Sequence, residues 1–181
     1  MRILGGKCKG RKLISVKGEN VRPAMALSRK SIFDTLQEVI NNISVLDLYA
    51  GTGILGIEAL SRGANNLTLI DFDKISIKTI YKNLEICNLK GKVIFGKLPN
   101  ILERVHFKNK AFDLIFIDPP YGSSKGIEDS LKIIVKNNII QKNGIISIES
   151  EAKSDFEIPE TLKLYKEKKL GNTKLTILNA I

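Results

Sequence analysis

Asp118-Pro-Pro-Tyr121 directly follows the apolar run Asp113-Leu-Ile-Phe-Ile117. Pro119 and Pro120 stiffen the loop and bring no N–H groups to compete for its carbonyls. The Asp118 carboxylate and the Pro119 carbonyl can then accept both hydrogens of an exocyclic amine. Those bonds pull the nitrogen away from planarity and free a lone pair otherwise delocalised into a nucleobase. Tyr121 offers a ring face on which such a base stacks once it has left its helix or loop. Two prolines that merely end a strand would need neither the acid before them nor the aromatic after them.

A second stretch, Asp47-Leu-Tyr-Ala-Gly51-Thr-Gly53-Ile-Leu-Gly56, contains the full G-x-G-x-x-G pattern. The glycines report a sharp turn and a backbone that comes close to a ligand, and fit NAD as well as other adenosine ligands. Asp71, at the end of the next apolar run, fits either, because a carboxylate there can hold two ribose hydroxyls. Asp47 separates the two readings. Four residues before the first glycine, an acid repels a pyrophosphate but suits a cationic ligand carrying an α-amino group and a sulfonium. S-adenosylmethionine is such a ligand. The freed amine lone pair would attack its methyl carbon in line, without a covalent enzyme intermediate, positioning and electrostatics supplying most of the rate.

These residues must be placed by the elements around them. Short apolar runs at Val45–Ala50, Leu67–Ile70, Val93–Phe95, Phe112–Ile117 and Gly144–Ile148 alternate with helix-like segments near 54–62, 74–88, 99–106 and 125–138. That rhythm predicts right-handed βαβ units, hence a parallel sheet with helices on both faces and its ligand beyond the strands' carboxyl ends. Leu162–Lys169 and Thr173–Leu178, joined by Gly171-Asn172, read as an antiparallel hairpin. Upstream, Arg2–Leu4 and Arg11–Val16 can pair as two short strands, and a helix is expected from Ala24 to Ile40.

The chain has 181 residues and a net charge of +10. That length fits one well-buried domain, with residues 1–23 as an N-terminal extension. Residues 1–30 hold nine basic residues against the single acid Glu19. Interleaved with Ile3, Leu4, Leu13, Ile14 and Val16, they suit a folded basic patch for phosphate contacts better than a disordered tail, so nucleic acid is the expected partner. No run approaches the roughly 18 apolar residues of a membrane span, and a cytoplasmic setting is expected. Cys8 and Cys87 form neither a disulfide framework nor a metal-ligand cluster, and no metal is expected. The single histidine, His106, reads as a surface or partly packed residue. Ser123-Ser-Lys125 suits a mobile lid or an idle turn equally. Glu149 and Glu151, closing the fifth strand, can orient a base or simply be solvated.

Together, Asp-Leu-Tyr-Ala-Gly-Thr-Gly and Asp-Pro-Pro-Tyr resemble the amino-methyltransferase branch of the class I AdoMet-dependent methyltransferases. "GGKCKGRKL" (5–13) with Arg22-Pro23, "GILGIEALSRGA" (53–64) and "SIESE" (147–151) narrow the resemblance to the RsmD family, from Arg2 to about Leu178. The resemblance implies an α/β, Rossmann-like fold: a mostly parallel seven-stranded sheet with an antiparallel C-terminal hairpin and a small N-terminal β-hairpin extension. It implies transfer of methyl from S-adenosyl-L-methionine to a guanine N2 in the 16S rRNA of the small ribosomal subunit. The basic hairpin alone is small for reading a unique site, so rRNA within an assembling or assembled subunit is the expected substrate, and a monomer is the default expectation. Asp47, Gly51 and Gly53 would surround the methionine part and Asp71 the ribose, with Tyr49, Ala50, Phe72 and Leu98 completing the cofactor set. Asp118, Pro119, Pro120 and Tyr121 would take the guanine, and Lys7, Lys9, Arg11, Lys12, Arg22 and Arg29 the rRNA phosphates. Ala24, Leu27 and Lys30 replace the family's usual Thr, Arg and Glu. Lys97 cannot accept a hydrogen bond from adenine, so backbone near Leu98 would have to. Competing readings are an adenine-N6 or cytosine-N4 DNA methyltransferase, an NAD-dependent oxidoreductase, and a ribosome-assembly protein without catalysis.

Overall fold

The structure is a computed structural model that describes residues 1–16, 23–37, 39–105, 111–120 and 122–181. Arg22, His106 and Tyr121 lie outside the described residues. Seven strands, β1 (Ser44–Leu48), β2 (Asn66–Asp71), β3 (Lys92–Phe95), β4 (Phe112–Ile117), β5 (Ile140–Glu151), β6 (Leu162–Leu170) and β7 (Thr173–Ala180), form one sheet in the order β3-β2-β1-β4-β5-β7-β6. β1 to β5 are mutually parallel, while β7 runs antiparallel between β5 and β6. This is the predicted mixed sheet.

Central strands read as near-continuous apolar runs because both faces are covered. On β1, Val45 joins a core layer with Ile32, Phe33, Ile57 and Ile80, residues of α1 (Pro23–Thr35), α2 (Ile54–Ser61) and α3 (Lys74–Cys87). Leu46 and Leu48 join the opposite layer with Leu102 of α4 (Ile101–Arg104) and Ile127, Leu131 and Ile134 of α5 (Ser124–Lys136). The last three recur at helical spacing and give α5 its buried stripe. Asp73 caps α3 by accepting the Ser76 N–H at 2.8 Å, and Asn88 ends it with a left-handed φ of 52°. Among the described residues no helix is long and apolar enough to cross a membrane.

Three boundaries differ from expectation. α1 ends at Thr35 rather than Ile40; the chain then tightens, Val39 N–H donating to Leu36 O at 3.1 Å, and still buries Ile40. β5 begins at Ile140, and its pairing with β4 slips register between Phe112 and Leu114. The N-terminal segment forms a single antiparallel bridge, Arg2 to Lys12, around a 3-10 turn at Gly6–Cys8, instead of two strands.

Its backbone donors are drawn elsewhere. Leu4 N–H donates to Glu58 Oε2 at 2.8 Å, Cys8 N–H to Ser61 Oγ at 2.9 Å, and Ile14 N–H to Asn83 Oδ1 at 2.8 Å. A ladder strand cannot extend when its donors bind side chains of α2 and α3. Gly6 makes the docking possible: its φ is +73°, and a Cβ there would lie 1.8 Å from the Ser61 carbonyl oxygen. Both cysteines are buried at this seam as free thiols, Cys8 Sγ 3.4 Å from the Cys87 carbonyl.

Candidate active site

A cleft of about 550 Å³ opens at the carboxyl ends of β1, β2, β4 and β5. Tyr49, Ala50 and Gly51 enter it from the turn after β1, Asp71 and Phe72 from the end of β2, and Asp118, Pro119 and Pro120 from the end of β4. Tyr49, Gly51 and Gly53 take positive φ values of 58°, 53° and 76°, so the turn reverses the chain within five residues. Asp71 braces it: Oδ2 accepts the Gly51 N–H at 2.7 Å and Oδ1 the Asp73 N–H at 2.8 Å. Each carboxylate oxygen has a second lone pair that can still accept a ligand hydroxyl.

The cleft's charge is opposite to the protein's. Asp71, Asp73, Asp118, Glu149 and Glu151 line it, and no lysine or arginine does among the described residues, in a chain of net charge +10. Such a lining opposes a pyrophosphate and favours a cation. The donor set therefore fits a sulfonium nucleoside and does not fit NAD.

Three residues expected at the cofactor do not line the cleft: Asp47, Gly53 and Leu98. Asp47 shares the face of Val45 two positions earlier, so its side chain runs beneath the turn. It is 1% exposed, and Oδ2 accepts the Gly56 N–H at 2.9 Å. It thereby serves as a distant acceptor for the first turn of α2. Gly53 faces the core, where an added Cβ would meet Leu69, Ile57 and Ile80 at 3.1–3.3 Å. Leu98 packs in the layer of α4 and α5.

Burial pushes the Asp47 carboxyl up to about 8, nearby Asp71 adding to the shift and the Gly56 N–H opposing it. An acid whose folded pKa exceeds its unfolded value near 3.9 is protonated in the folded state and ionised in the unfolded one between those values. Its contribution to stability is thus present below about pH 4 and is lost as pH rises towards about 8. Asp47→Asn keeps an acceptor for Gly56 and removes the titration. Urea denaturation from pH 5 to 8 should show a stability curve declining less in the variant than in the parent; parallel curves would refute the assignment.

The basic residues divide. Lys7, Lys9, Arg11 and Lys12 are exposed, and the Arg11 guanidinium donates to the Ile86 carbonyl. Cys8 bonds the last residues of α2 and α3, the ends remote from the cleft. α2 has eight residues and starts at the ligand turn, and α3 has 14 and starts just after Asp73, so the segment holding Lys7 and Lys9 stands about 12 Å from the turn and about 20 Å from the Asp73 side of the cleft. Arg29 corrects the expectation. It is 8% exposed, with Nη2 donating to the Arg2 carbonyl at 3.0 Å and Nε 4.0 Å from Glu58 Oε2. A guanidinium committed to the seam between α1, α2 and the N-terminal segment does not grip phosphate.

Ser123 and Ser124 also line the cleft; Ser124 and Lys125 start α5, and Lys125 pairs with Glu128 and Asp129. Met1 and Thr52, which motif reading did not single out, enter the cleft as well. Glu149 and Glu151 line it from β5, as strand-end position alone allows.

Insertion of β7 antiparallel between β5 and β6, with the ligand turn after β1, separates this sheet from dinucleotide folds and defines a class I methyltransferase. Residues 1–179 match the family described as conserved hypothetical protein 95, and the chain belongs to that family. Among its relatives is the ribosomal RNA small subunit methyltransferase D of Buchnera aphidicola, 35% identical over 92% of this chain and 86% of that protein. The protein of the same name from Escherichia coli K12 is 30% identical over 94% of this chain and 85% of its own length. The solved structure of yhhF, a candidate methyltransferase of Escherichia coli, superposes with a TM-score of 0.86 at 29% identity, covering 99% of this chain and 97% of that one. The chain is a methyltransferase, as the resemblance of its motifs to the RsmD family implied.

Proposed function

We propose that this protein transfers a methyl group from S-adenosyl-L-methionine to the N2 amine of a guanine in the 16S rRNA of the small ribosomal subunit, as a cytoplasmic monomer with residues 1–23 as its RNA-binding extension. The observation that carries the reading is the acidic cleft, free of lysine and arginine among the described residues, with Asp118-Pro119-Pro120 on its wall. The names of its relatives support rRNA as the class of substrate. When bound, the cofactor supplies an electrophilic methyl on sulfur. Gly51 and its neighbours would hold the methionine part, Asp71 the ribose hydroxyls, and Phe72, exposed at the lip, would cover the adenine. Asp118 and the Pro119 carbonyl orient the amine so that its lone pair faces the methyl carbon. After transfer, the Asp118 carboxylate is the adjacent acceptor for the proton the nitrogen sheds.

The test is transfer of labelled methyl to unmethylated small subunits, with bare 16S rRNA and duplex DNA in parallel, followed by nucleoside analysis. N2-methylguanosine is the expected product, formed faster on subunits than on bare RNA. Label in DNA adenine or cytosine would overturn the reading.

The distance between the basic tip and the cleft predicts how the RNA is held. Lys7 and Lys9 contact phosphates several nucleotides from the acceptor, so they contribute affinity and not chemistry. Replacing both by alanine should raise KM and flatten the dependence of log affinity on log salt by roughly 1 to 2, with kcat unchanged. A fall in kcat at unchanged KM would contradict this.

A further inference from the structure

Glu149 sits one strand away from the amine-binding loop. Ile117 of β4 and Ile148 of β5 are register partners in a parallel pair, so Asp118 and Glu149 follow on adjacent strands, about 5 Å apart between backbones. Both line the cleft. Glu149 is not a solvated acid: its Oε2 accepts the hydroxyl of Ser28 at 2.6 Å, and Ser28 is fully buried on α1. Burial raises the carboxyl's pKa against the pull of the Ser28 bond. Among the described residues no lysine or arginine lines the cleft to pair with it, so a held carboxylate oxygen is left for a ligand donor.

The amine-binding loop does not distinguish one exocyclic amine from another. What stands beside the amine does. On guanine the N2 amine adjoins N1–H, a donor. On adenine the N6 amine adjoins N1, and on cytosine the N4 amine adjoins N3, both bare acceptors. A carboxylate next to Asp118 matches the first and repels the other two. We infer that Glu149, fixed by Ser28, selects guanine: its carboxylate accepts N1–H while Asp118 and the Pro119 carbonyl accept the N2 amine. The inference rests on the proposed amine methylation and adds the residue that decides which base is methylated.

The acceptor guanine, once located by mapping the product, can be replaced in a ligated 16S rRNA by 2-aminopurine. That base keeps the 2-amine and lacks N1–H. The parent enzyme should prefer guanine over 2-aminopurine in kcat/KM by about 100-fold, since a site built to accept a hydrogen bond rejects a base that lacks the donor. In Glu149→Gln the amide can turn its NH2 towards the bare N1, and the preference should fall to within a few fold. Ser28→Ala keeps the charge and loses the clamp; the preference should fall by roughly 3- to 10-fold, a readout that holds should the glutamine variant fold poorly. S-adenosylhomocysteine affinity, measured by calorimetry, should be unchanged in both variants. Equal losses on both bases, or a parent enzyme that does not discriminate between them, would overturn the role of Glu149 while leaving guanine methylation intact. Absence of any N2-methylguanosine from the parent enzyme would instead overturn the underlying function.

Discussion

Asp118→Ala should abolish methyl transfer while leaving the cofactor and the RNA bound. Asp118 stands at the end of β4 on the cleft wall, its N–H 3.5 Å from the Leu48 carbonyl of β1, which fixes the loop against the central strand. Alanine keeps that backbone anchor and Pro119, and removes only the carboxylate. The amine then has the Pro119 carbonyl as its single strong acceptor, and it relaxes towards the planar geometry in which its lone pair is delocalised. Loss of one preorganised electrostatic partner typically costs 10²–10³ in kcat, and this one also takes away the adjacent proton acceptor. We therefore expect kcat to fall by about 10³-fold or more, with S-adenosylhomocysteine affinity by calorimetry and rRNA affinity by filter binding within a factor of about three. Retained transfer within tenfold of the parent would remove Asp118 from the chemistry. Loss of RNA binding together with activity would make the loop a docking element.

Much of the fold was legible because its signals are local. Val45–Ala50, Leu67–Ile70 and Phe112–Ile117 are strand-length apolar runs, each followed by a turn and a helical period, and the structure places strands at all three. Tyr49, Ala50, Gly51, Asp71, Phe72, Asp118, Pro119 and Pro120 meet in one cleft because each closes a parallel strand at the same edge of the sheet. What escaped reading depends on partners distant in sequence. The N-terminal strands fail as a ladder because Leu4 and Ile14 give their N–H groups to Glu58 and Asn83, 54 and 69 residues away. Two errors had signals that were available. Asp47 lies two residues after the core-facing Val45, so strand alternation turns it towards the helix layer. Arg29 precedes Ile32, Phe33 and Leu36 by three, four and seven positions, on the stripe those buried residues define. Its charge suggested phosphate; its spacing indicated burial.

Arg29 also marks where the molecule is most easily broken. Glu58, fully buried in the middle of α2, accepts the Leu4 N–H at 2.8 Å and Arg62 Nε at 2.9 Å, and lies 4.0 Å from Arg29 Nε, an atom with no hydrogen-bond partner among the described residues. Arg62 is carried over the Phe33 ring at 4.8 Å, which ties α1 to the same point. Glu58→Ala would leave a buried guanidinium without its countercharge and a backbone donor without an acceptor. Breaking a buried pair from one side costs about 3–5 kcal/mol, a large part of the roughly 5–15 kcal/mol that holds a domain together. The urea midpoint should drop accordingly. Amide exchange should quicken first in residues 1–16 and α1, because α2 retains its own packing on the sheet. Glu58→Gln keeps an acceptor for Leu4 and should cost less. Adding Arg29→Met to Glu58→Ala should recover part of the loss, since the stranded charge is then gone. If Glu58→Ala costs under about 1 kcal/mol, these charges reach water and the seam is held by its apolar contacts alone.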